Sequence, residues 1–128
     1  MSQILVDSSV WIAFFRGSIP QDALFELIDT NQICINDLVI SEIVPSLLMK
    51  KEKGLVDTLY KIQRYPLSIN WLELINFQVK NLRKGLNKVG ISDLIIMQNV
   101  IQQNLVLYAL DFHFTKMAEI FHFKIFAR

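Results

Sequence analysis

The sequence predicts an α/β fold: about five strands in a parallel sheet, flanked by helices on both faces. Short apolar runs of β type alternate along the chain with helical patterns, the signature of strands joined by helical crossovers. Two of those runs, Ile4-Leu5-Val6 and the segment Asn104–Leu110, lead directly into an aspartate, Asp7 and Asp111. No low-complexity run, repeat or linker interrupts the 128 residues, so one domain over 1–128 is expected, long enough to bury roughly two thirds of its unfolded surface.

The elements follow in order. QILVD is a short strand ending in an acid, and SVWIAFFRG a short helix stopped near Gly17. Pro20 opens the next helix, with Leu24, Leu27 and Ile28 inward. QICIN is the second strand. LVISEIVPSLLMKK is helical, with Pro45 removing one donor and kinking it. GLVDTLYKIQRY is a helix that ends before Pro66, and LSIN a weak third strand. WLELINFQVKNLRKGL and ISDLIIMQNVIQQ are helices, NLVLYAL a buried strand, TKMAEIF a short helix and FKIFA the last strand. Right-handed crossovers put helices on both faces. In such sheets ligands meet the carboxyl ends of the strands.

Composition narrows the function classes. Cys34, the single cysteine, excludes an intrachain disulfide and reads as a small buried hydrophobe in a reducing compartment. The start, MSQILVD, lacks a basic leader region, and no apolar run approaches the roughly 18 residues of a membrane span, which points to the cytoplasm. Thirteen basic and twelve acidic residues give a net charge of +1, not the strongly basic balance of a chain that holds nucleic acid by charge alone. The hydrophobic fraction of 52% and mean hydropathy of +0.35 fit either a rich core or apolar surface covered by a partner.

Most acids fall on polar stretches: Asp22, Glu26, Asp29, Glu52, Asp57, Glu73 and Glu119 read as solvated surface, and Asp37 as a helix cap. Four fit less well. Asp7 and Asp111 each close an apolar strand, where a helix N-cap is the competing role. Asp93 begins a helical stripe with Met97, Val100 and Ile101 at i+4, i+7 and i+8, while Gln98, Asn99, Gln102 and Gln103 take the other side. That faces Asp93 toward the sheet, and a buried carboxylate needs a partner or a cation; a helix-start role competes. Glu42 sits in LVISEIVPSLL among apolar neighbours, with Leu38 and Met49 on its side, where a buried salt bridge is the alternative. If the four meet, mutual repulsion is relieved by a divalent cation. All-oxygen ligands suit Mg²⁺ or Mn²⁺, which points to phosphodiester hydrolysis. No Walker motif or nucleophile elbow occurs, and His113 and His122 lack zinc-type companions.

These acids and their contexts resemble the PIN-domain ribonucleases, most closely the VapC-like toxins of bacterial toxin–antitoxin pairs. ILVDSSVWIAFF resembles the opening strand and its turn, ISEIVPSLL the second motif, and GISDLIIMQNVIQQNLVLYALDFHF the third and fourth, across almost the whole chain. The resemblance implies a PIN-like fold and a Mg²⁺- or Mn²⁺-dependent endoribonuclease with Asp7, Glu42, Asp93 and Asp111 as its acids. Asp7, Asp93 and Asp111 would be metal ligands, Glu42 and Asp111 would orient waters or hold a second ion, and Ser9 would assist. It further implies an antitoxin that blocks the site and a homodimer. Ala109 departs from the family, which often has Thr, Ser or Asn two residues before the fourth acid. That keeps open a second reading, a weak or inactive PIN-fold module that binds RNA or protein. A phosphotransfer domain fits poorly, because Ser9 breaks the D-x-D pattern. For RNA, two basic clusters stand out: Lys50, Lys51 and Lys53, and Lys80, Arg83, Lys84 and Lys88. Each is either a solvated helix end or a backbone-tracking patch.

Overall fold

The computed structural model describes residues 3–127. The sheet contains β1 (Ile4–Val6), β2 (Ile33–Ile35), β3 (Gln63–Arg64), β4 (Val106–Tyr108) and β5 (Lys124–Ile125), all parallel, in the order β3-β2-β1-β4-β5. The helices are α1 (Ser8–Phe15), α2 (Gln21–Asp29), α3 (Asp37–Met49), α4 (Lys53–Lys61), α5 (Trp71–Arg83), α6 (Ile91–Gln103) and α7 (Phe112–Phe121).

The chain winds outward from β1 through β2 to β3, then returns to place β4 against the other side of β1. Right-handed crossovers therefore set α1–α4 on one face of the sheet and α5–α7 on the other. The strand order reverses between β1 and β4, paired Ile4 to Val106, Leu5 to Leu107 and Val6 to Tyr108. Their carboxyl ends are the switch point at which open α/β sheets form sites. The central strands read as continuous apolar runs because both faces are covered: Leu5, Val6, Cys34, Ile35 and Leu107 are wholly buried. Trp11, Val39, Leu94, Met97, Phe114 and Met117 pack onto them from the helices.

The third strand departs from the sequence expectation. LSIN is not a strand, and the Gln63–Arg64 segment, expected as the end of α4, pairs with Cys34 and Ile35 of β2. The Tyr65 amide extends that ladder to the Ile35 carbonyl at 2.8 Å. Pro66 disfavours helical backbone at Tyr65, so the chain extends early and finds the free edge of β2. Asp37 is also not the cap of α3. Asn36, fully buried, accepts from the Val39 amide at 2.9 Å, and Asp37 instead pairs at the surface with Arg64 at 3.3 Å. Pro45 lies inside α3, where it leaves the Ser41 carbonyl without its helical donor.

α6 is not amphipathic in the expected sense. Residues 94–100 are all buried, Gln98 and Asn99 included, while Ile101 is 40% exposed. The two amides are closed by hydrogen bonds. Asn99 accepts from Asn36 Nδ2 at 3.0 Å and donates to the Pro66 carbonyl. Gln98 pairs both ways with the Asn70 backbone and donates to Glu73 at 2.7 Å. Glu73 is thus half-buried and bonded rather than solvated. α5 keeps an uncovered apolar stripe of Trp71, Ile75, Val79 and Leu82 at helical spacing.

Candidate functional site

Asp7 is delivered by β1. Its amide bonds to the Tyr108 carbonyl of β4 at 2.9 Å, which carries the β1–β4 pairing one residue past the strand. Its side chain caps α1: Oδ2 accepts from the Ser9 amide at 3.2 Å and the Ser9 hydroxyl at 2.7 Å. Ser9 Oγ in turn accepts from the Leu110 amide at 3.1 Å, tying the first turn of α1 to the segment that leads into Asp111. Asp7 is only 6% exposed. Burial raises its pKa, Ser9 and Ser8 hydrogen bonds partly offset that, and the Asp111 charge raises it further.

Asp111 lies just beyond β4 and caps α7, accepting the His113 amide at 2.9 Å. Its Oδ1 is also 3.2 Å from His113 Nδ1. Asp93 is the third residue of α6, within reach of the backbone of Gly90, the residue that caps that helix. Desolvation is the main cause of its raised pKa, followed by the charges of Asp111 and Asp7; His113 and the Gly90 bond work the other way. Glu42 projects from α3 at the exposed rim. Its pKa is raised by desolvation, then by Asp7, with Asp93 adding and a Ser8 hydrogen bond easing it. The competing role of Asp7, Asp93 and Asp111, a cap or first-turn bond, is present in each, and it coexists with their gathering. The buried salt bridge that competes for Glu42 is not: among the described residues no Lys or Arg pairs with any of these acids.

All four acids therefore lie in one electrostatic neighbourhood at the carboxyl ends of β1 and β4, drawn from β1, α3, α6 and the β4–α7 turn. Asp93, Asp111 and His113 offer ligand atoms all within 4.8 Å of one another. His113 is the member of this group that the sequence pattern does not single out. A signal for it exists, because a residue two places after a capping aspartate sits in the same helix turn. The donor set fits a divalent cation: oxygen-rich, mutually repelling and, among the described residues, without a Lys or Arg to neutralise it. Cys34 plays no part; burial pushes its thiol up to about 12.

Of the basic clusters, Lys50 borders a cleft of about 120 Å³ beside Glu42, with Ile12, Phe15 and Leu47. Lys84 borders another, of about 410 Å³, with Phe112 and Lys116. Lys80 lies over the Phe121 ring, 5.3 Å from its centroid. No helix among the described residues is long and apolar enough to cross a membrane.

A model of the PIN domain family matches residues 4–120. The fold is similar to that of DNA-bound VapBC from Salmonella typhimurium, at 15% identity, a TM-score of 0.70 and 98% of each chain covered. It is similar to VapBC2 from Rickettsia felis bound to a promoter DNA fragment, at 17% identity and a TM-score of 0.69, covering 88% of this chain and 90% of that one. FitAcB from Neisseria gonorrhoeae is similar at 15% identity and a TM-score of 0.70, with 98% and 97% covered. No curated protein sequence matches the chain.

Proposed function

From the premise that the chain belongs to the PIN domain family, we propose that it is a metal-dependent endoribonuclease and the toxin of a toxin–antitoxin pair. The carrying observation is the gathering of Asp7, Glu42, Asp93 and Asp111 at the switch point of the sheet, three of them with raised pKa values and none with a Lys or Arg partner among the described residues.

Asp93 and Asp111, whose ligand atoms lie within 4.8 Å of each other and of His113, would hold Mg²⁺ or Mn²⁺ together with Asp7. The ion would supply an activated water and charge stabilisation on the phosphodiester. The chain's own groups have separable tasks. Ser9 fixes the Asp7 carboxylate by its 2.7 Å bond and is itself held by Leu110. The His113 amide fixes Asp111. Glu42, at the open rim with its pKa raised by burial and by the Asp7 charge, suits the task of orienting the water and taking its proton as the water oxygen bonds to phosphorus and the phosphorus–oxygen bond to the leaving ribose breaks. Ala109 supplies no hydroxyl beside Asp111, but the Ser9 hydroxyl already lies against the next residue, Leu110.

The named VapBC and FitAcB assemblies support an antitoxin partner. The cleft beside Glu42, lined by Ile12, Phe15 and Leu47 with Arg16 and Lys50, is a place for a partner's side chain. The uncovered α5 stripe supports a homodimer. The test incubates antitoxin-free protein with a panel of structured RNAs, with and without Mg²⁺ or Mn²⁺, beside Asp7→Asn/Asp93→Asn. Metal-dependent cleavage absent from the variant is expected. No cleavage by folded, metal-loaded protein would favour the binding-module reading.

A further inference from the structure

We propose that the cleft between the end of α5 and the start of α7 is a stacking subsite for one unpaired nucleotide of a single-stranded RNA segment, with Phe112 as its platform. The inference rests on the ribonuclease reading and adds a place for the substrate that the four acids do not provide.

Phe112, which borders the cleft, directly follows Asp111 in the chain. Phe112 opens α7 and is 61% exposed, so its ring is available to a ligand. Its ring borders the cleft of about 410 Å³, whose apolar lining continues with Leu86 and Ile120. Two cations border the same space from separate elements. Lys84 caps the end of α5, and Lys116, one turn along α7, holds its Nζ 5.7 Å from the Phe112 ring centroid. Glu119, also in the lining, offers an acceptor to the amine edge of a base.

An exposed ring beside two cations is the combination by which proteins hold single strands: the ring stacks a base, and the ammonium groups meet phosphates. A duplex offers no free base face, so the arrangement selects unpaired RNA. A polyanion must approach four carboxylates in a chain of net charge +1, and Lys84 and Lys116 put positive charge in the cleft that Phe112, the residue after Asp111, borders.

The test uses a single-stranded RNA carrying 2-aminopurine, bound to the Asp93→Asn protein so that no cleavage intervenes, and KM and kcat for cleavage by chains that keep Asp93. Quenching of the fluorophore is expected on binding. Phe112→Ala should weaken binding by about 5- to 150-fold, the range for loss of one stacked base, and raise KM more than it lowers kcat. Phe112→Trp should restore both. Lys84→Gln with Lys116→Gln should make the salt dependence of binding shallower, by about 0.7 in log–log slope for each phosphate no longer neutralised. Cleavage by the parent chain with binding, KM and salt slope unmoved in all these variants would overturn the subsite and leave the nuclease intact. A Phe112→Ala chain that instead changes oligomeric state, with RNA binding unmoved, would overturn it by assigning the cleft to a second copy. Absence of any RNA binding or cleavage by the parent chain would overturn both readings together.

Discussion

α6 carries two polar regions that differ in how they are finished. In its middle, Gln98 and Asn99 are buried and closed: the amide oxygen and nitrogen of each have partners on Asn36, Pro66, Asn70 or Glu73. At its start, Asp93 joins Asp7, Glu42 and Asp111 in a group of like charges in which the pKa values of Asp7, Glu42 and Asp93 are raised and no Lys or Arg among the described residues pairs with any member. Complete hydrogen bonding makes a buried polar group an asset to stability. A group left with uncompensated charge destabilises the empty fold and is retained for what it binds. The two regions lie within six residues of each other, so burial alone does not distinguish structure from function; completion of the bonds does.

The sharpest separation comes from Asp93→Asn. If the ion contributes several kcal/mol to the transition state, cleavage should fall by at least about 100-fold, while urea unfolding without metal shows stability unchanged or improved. Loss of stability on the scale of a core defect would place Asp93 in the closed region instead. Asn99→Ala should behave oppositely. It leaves Asn36 Nδ2 and the Pro66 carbonyl unpaired inside the fold, which costs roughly 2–4 kcal/mol in urea unfolding, with kcat of the folded fraction retained.

The same contrast explains what the sequence discloses. The parallel sheet, its helical crossovers and the position of the acids at strand ends are legible because apolar runs and capping acids are local patterns. The gathering of Asp7 with Asp111 follows from two strands ending alike, and the structure adds the β1–β4 pairing that brings them together. The closed network is not legible. Gln98 and Asn99 look like a solvated face until Asn36, Pro66 and Asn70 arrive from distant segments, and no periodicity encodes a partner 63 residues away. β3 is hidden for a related reason: two exposed residues, Gln63 and Arg64, become a strand only because β2 offers an edge. His113 escapes a reading by zinc-type spacing, because its companions are the acids themselves.

Ser9→Ala probes the border between the two regions, since its hydroxyl holds Asp7 and is held by Leu110. Metal affinity is expected to fall about 10-fold, the low end for loss of a group that orients a ligand, measured by calorimetric titration. An unchanged affinity would reduce Ser9 to a cap. A smaller effect concerns pH. The folded pKa values of Asp7, Glu42 and Asp93 lie above their ordinary ones, so the protonated acids favour the fold. Their contribution is complete below the ordinary carboxylate values and is lost as pH rises through the raised ones. Metal-free protein should therefore melt at progressively lower temperature across that range, relative to a chain bearing Asp7→Asn, Glu42→Gln and Asp93→Asn. A parallel pH profile for the two would remove the repulsion argument.

The most direct test of an open region built to receive a cation is the melting temperature of the protein titrated with Mg²⁺ or Mn²⁺, beside Asp93→Asn. A ligand that binds only the folded site stabilises it by about 2.7 kcal/mol at a hundred times its dissociation constant. The expected result is a concentration-dependent rise that Asp93→Asn largely abolishes. Equal rises in both proteins, or none in either, would contradict the assignment of these acids to a metal site.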